Sequence, residues 1–69
     1  MNYQELINYY SKKLKLNNIS NAMLDCEILL SNVLKIRREN LILNLQDKIQ
    51  DKDLLSFRKL IKQRQKKNP

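Results

Sequence analysis

Apolar residues return along this chain at helical spacing, in segments separated by short polar links. The densest segment is Ser20 to Ile36, SNAMLDCEILLSNVLKI, in which Ala22, Cys26, Leu29, Val33 and Ile36 make one stripe. Met23, Leu30 and Leu34 lie beside it, so the apolar arc is wider than an ordinary surface helix carries. The spacing predicts a central helix capped by Ser20 or Asn21, with Asp25 and Glu27 near its positive end.

Before it, Tyr3, Leu6, Ile7, Tyr10 and Leu14 share one face of a helix from about Asn2 to Leu16. Asn2 and Glu5 stand at capping-box spacing, and Lys12, Lys13 and Lys15 gather at the negative end of the dipole. Asn17 and Asn18 stop the helix, because asparagine tolerates the left-handed backbone, and Ile19 is placed as a hydrophobic staple. After the central helix, Leu41, Ile42 and Leu45 predict a short helix from about Arg38 to Leu45. Alternation at Leu41, Leu43 and Leu45 also suits a strand, but no second strand is there to pair with it. Gln46 to Gln50 reads as a polar loop that drops Ile49 inward. Asp51 then caps a last helix with Leu54, Phe57 and Ile61 on its inner face, flanked by Leu55 and Leu60, and Gln63 to Asn68 is polar throughout.

Composition narrows this further. Glycine is absent from all 69 residues. Phosphate-cradling loops, dinucleotide turns and tight hairpins need its positive φ or its bare backbone. The expected fold class is therefore all-α, a small antiparallel bundle of four to five helices in one domain. A chain of this length buries only about 60% of its unfolded surface, which favours one core over a deep cleft. With one cysteine and no histidine, neither a disulfide nor a zinc site is expected. Cys26, on the apolar stripe, reads as a small buried hydrophobe and fits a reducing compartment. The N-terminus lacks the basic and apolar regions of a signal peptide, and the longest apolar runs are three residues. A cytoplasmic protein without a membrane segment is expected.

The net charge of +7 points to an acidic partner, although ten of the fourteen basic residues are lysines, as AT-rich coding also produces. No catalytic constellation stands out: Asp25 and Glu27, two apart on a helix, diverge and cannot act as an acid/base pair. They are expected in structural ion pairs instead, since Arg38 (beside Arg37) stands at a helix start that disfavours cations. Arg58, Lys59, Lys62 and Arg64, with Lys66 and Lys67 beyond, are the candidate partner-binding group. A small basic nucleic-acid-binding module is the alternative, against which stands the lack of a recognisable helix-turn-helix or of grouped base-reading side chains.

Ile19 and Ser20 precede a helix whose Leu24, Asp25, Cys26, Glu27, Ile28, Leu29 and Leu30 follow an LDAELLL-like run, with cysteine in place of alanine. Arg38 and Leu41 come next. The end, Gln63 to Pro69, lies against an RRxxGEP-like sequence in which Arg64 and Pro69 match and Gln63, Lys67 and Asn68 depart. In this order the residues resemble the N-terminal domain of the HemK/PrmC-type protein-glutamine N5-methyltransferases that modify peptide-chain release factors. The resemblance implies a non-catalytic domain that helps to bind and orient the release factor. It implies that S-adenosylmethionine and the catalytic residues belong to a separate catalytic domain after Pro69, so no catalytic or cofactor residue is carried over to this chain.

Overall fold

The computed structural model describes residues 1–66, and in them four α-helices follow one another: α1 (Tyr3–Leu16), α2 (Ala22–Leu34), α3 (Arg38–Leu43) and α4 (Asp51–Gln65). The end of the RRxxGEP-like match, Lys67 to Pro69, lies outside the described residues. Helix α1 opens on a true capping box. Asn2 Oδ1 accepts the Glu5 N–H at 2.8 Å, and Glu5 Oε1 accepts the Asn2 N–H at 3.0 Å.

Without glycine, the turns that end α1 and α2 are closed by other residues held in the left-handed region. At the end of α1, Asn18 (φ 61°) lets the Ile19 N–H reach the Leu14 carbonyl at 3.2 Å while its own N–H bonds Lys15. At the end of α2, Lys35 (φ 58°) does the same, sending the Ile36 N–H to Ser31 at 3.1 Å. Each is a Schellman motif with an isoleucine just past the left-handed residue. Ile19 packs against the core, whereas Ile36 stays partly exposed.

Three boundaries differ from the sequence expectation. Helix α2 starts at Ala22 and ends at Leu34, not at Ser20 and Ile36. Neither Ser20 nor Asn21 caps it through its side chain: Asn21 sits at φ 55°, not in the extended conformation from which a cap residue reaches forward. Helix α3 stops at Leu43, and Leu45 packs against the core from the loop. Asp51 is the first residue of α4 and not its cap. Gln50, extended at ψ 154°, holds that position and gives its carbonyl to Leu54, so Asp51 and Asp53 act on the dipole from inside the first turn.

The core is drawn from all four helices: Leu6, Ile7, Tyr10 and Leu14, then Ala22, Cys26 and Leu30, with Leu41, Phe57 and Ile61. Tyr10 meets Phe57 edge-on, ring centres 5.4 Å apart. The most buried line of α2 is Ala22, Cys26 and Leu30, while Leu29 and Val33 are half-buried beside it. The stripe read from sequence is thus turned slightly toward Leu30. The loop after α3 is strapped to the N-terminus. Tyr3 N–H donates to the Asp47 carbonyl at 2.9 Å and Ile49 N–H to that of Met1 at 3.2 Å, giving an antiparallel bridge at Asn2 and Lys48. This pairing brings Ile49 against the core.

A cationic helix face and two internal ion pairs

The two carboxylates of α2 diverge to different neighbours. Glu27 Oε1 accepts from Arg38 Nε of α3 at 2.7 Å. Asp25 Oδ2 accepts from Arg64 of α4 twice, from Nη2 at 2.8 Å and from Nε at 3.3 Å. Arg64, expected among the partner-facing cations, is thus turned inward, and Asp25 is joined to α4 and not to α3. The reason is helical phase: Leu54, Phe57, Ile61 and Arg64 continue one face at steps of three and four, and that face lies on α2. Because Arg64, near the end of α4, meets Asp25, near the start of α2, the two helices run antiparallel.

The remaining cations of α4 look outward. Lys52, Arg58, Lys59, Lys62 and Lys66 are exposed, and neither ion pair found among the described residues involves them. Leu55 lies among them, 60% exposed. From Leu54 to Lys66 the helix carries no carboxylate, so this stretch has a single sign, while exposed Asp51 stands beside Lys52 at its start. Leu55, expected to flank the inner face, is turned to solvent while Leu60 is half-buried; Lys52 was not singled out in the sequence, though the seven-residue steps from Lys52 to Lys59 and from Leu55 to Lys62 carry the signal.

Elsewhere, an open depression of about 370 Å³ lies between the end of α2 and the start of α4. Val33, Leu34, Lys35, Gln50, Lys52, Asp53 and Ser56 line it. Among the described residues, no three His, Cys, Asp or Glu side chains converge as a metal site requires. Burial, reinforced by the charges of Asp25 and Glu27, pushes the Cys26 thiol up to about 12, so the sulfur stays protonated and unreactive near neutral pH. Burial and the nearby Asp47 and Asp53 also raise the Tyr3 phenol. No helix of the described residues is long and apolar enough to cross a membrane.

These features define a small all-α bundle whose acidic groups on α2 tie helices together and whose last helix turns a cationic face outward. The family model described as the PrmC N-terminal domain matches residues 5–69, and the chain belongs to that family, the N-terminal domain of PrmC/HemK methyltransferases. No curated protein and no solved structure matches it.

Proposed function

We propose that this chain is the non-catalytic N-terminal part of an S-adenosylmethionine-dependent release factor glutamine methyltransferase, and that it helps to bind and orient the release factor in the cytoplasm. The observation that carries the reading is the family match over residues 5–69. In this reading a catalytic domain follows Pro69 in the same polypeptide and holds the cofactor. The residues described here do not fit S-adenosylmethionine. The depression between α2 and α4 is open to solvent, and among its charged lining residues Lys35 and Lys52 outweigh Asp53, which disfavours a sulfonium cation. No glycine allows the close backbone approach that nucleotide binding uses.

The contact with the release factor is assigned to the outward cations Arg58, Lys59 and Lys62. Arg64 contributes by holding the end of α4 against Asp25. Retention of a purified release factor on the immobilised chain tests the reading. Binding should be retained at moderate salt and lost in the Lys59→Glu/Lys62→Glu double variant. A chain that retains no release factor, or that binds the methyl donor by itself, overturns it.

A further inference from the structure

We infer that the outer face of α4 seats an acidic helix of a protein partner along a short heptad seam. Lys52, Lys59 and Lys66 stand seven residues apart, and Leu55 and Lys62 repeat the same step three residues later. That is the spacing of the a and d positions of two paired helices, with lysine at four of the five positions and an apolar side chain only at Leu55. At 1.5 Å per residue the row runs about 21 Å along the helix, enough to lie beside three to four turns of a second helix. The opposite face is already occupied, since Phe57 and Ile61 are in the core and Arg64 is bonded to Asp25.

The composition of the row selects its occupant. A second copy of this chain would set lysine against lysine at most positions of the seam, which like-charge repulsion disfavours. An RNA backbone would answer the ammonium groups but leave Leu55 exposed in the middle of the contact. The one aromatic residue of α4, Phe57, is buried, so no ring is offered for base stacking. An acidic helix answers both features. Its carboxylates meet Lys52, Lys59, Lys62 and Lys66, and an apolar residue opposite Leu55 covers that side chain together with the methylene stems of the neighbouring lysines. Arg58 lies at the edge of the row, where it can reach a flanking carboxylate.

The inference rests on the proposed release-factor contact only for the identity of the partner, because the seam itself is a property of α4. It is tested by titrating the isotopically labelled chain with a synthetic acidic helical peptide. The peptide carries glutamate at its a and d positions around one central leucine. A lysine-substituted peptide and a short oligouridylate serve as comparators. Amide shifts should map to Lys52, Leu55, Lys59, Lys62 and Lys66. Leu55→Ser, an exposed substitution that leaves the core intact, should weaken peptide binding about tenfold while the spectrum stays folded. The inference is overturned by a peptide that does not bind, by affinity indifferent to Leu55→Ser, or by oligouridylate binding the same residues as tightly. Peptide binding without release-factor retention would remove the proposed function and leave the seam. Release-factor retention alongside a peptide that does not bind would do the reverse.

Discussion

Arg64 Nη2 lies 2.8 Å from Asp25 Oδ2, and this contact fastens the last turn of α4 to the first turn of α2. Together with the 2.7 Å contact from Arg38 to Glu27, it makes α2 the helix to which its neighbours are tied by charge as well as by packing. The side chains of Arg64 and Asp25 retain 32% and 21% of their exposure, so water screens the attraction and the contribution to stability is modest.

Asp25→Asn should therefore cost about 0.5–1 kcal/mol in urea unfolding. Its larger effect should be local, with faster amide exchange at Lys62 to Lys66, where little else holds the helix. A double-mutant cycle with Arg64→Gln checks the assignment. Coupling indistinguishable from zero would mean that the two groups meet without stabilising the last turn.

Lys35 offers the opposite experiment. It occupies the left-handed region at φ 58°, where a side chain with a Cβ is disfavoured and lysine lacks the local hydrogen bonds that help asparagine. Lys35→Gly should raise stability by about 0.5–1 kcal/mol, or about 4–8 °C in Tm per kcal/mol in a domain of this size. Asn18→Gly should gain less. A Lys35→Gly variant that melts lower would show that the lysine side chain contributes more than its backbone strain costs.

The helices were legible because their burial follows the 3.6-residue period. Tyr3 to Leu16 came with its capping box, and Cys26 was readable as a core residue from its place between Ala22 and Leu29. Leu54, Phe57 and Ile61 marked the inner face of α4, and one further step along that face reaches Arg64. The charge of Arg64 suggested an outward side chain, but phase along the helix decides orientation when a carboxylate waits on the facing helix. The strap from Met1–Gln4 to Leu45–Ile49 had no such signal, because backbone pairing between two short irregular stretches leaves no hydrophobic period. The cap of α4 was misplaced for a related reason. Side-chain preference favoured Asp51, whereas the extended backbone at Gln50 sets where the helix begins.

The small core leaves little reserve. Stability for 69 residues lies roughly between 3 and 10 kcal/mol, and Phe57 is fully buried with its ring against Tyr10. Phe57→Ala should cost about 3–5 kcal/mol, a large share of that total, and lower the melting temperature markedly. Circular dichroism reads this directly. A cooperative transition at an unchanged temperature would place the ring outside the core.

Cys26 gives the chain a dependence on alkaline pH whose sign follows from burial. Its thiol is raised from an ordinary 9.0 to about 12, chiefly by burial and further by the charges of Asp25 and Glu27. Below the ordinary value both folded and unfolded chains keep the proton, and the stabilisation is fully present. Above it the unfolded chain ionises first, so the folded state holds more protons and stability falls as pH climbs toward the folded value. Lysines and tyrosines titrate in the same range, so the comparison that isolates the thiol is Cys26→Ala. The variant should start less stable, having lost a buried sulfur, yet its urea midpoint should fall less between pH 8 and pH 10 than that of the parent. The same burial predicts slow alkylation by iodoacetamide in the native state and fast alkylation in urea. Equal rates in the two states would place the sulfur within reach of solvent, and the alkaline slope would then need another source.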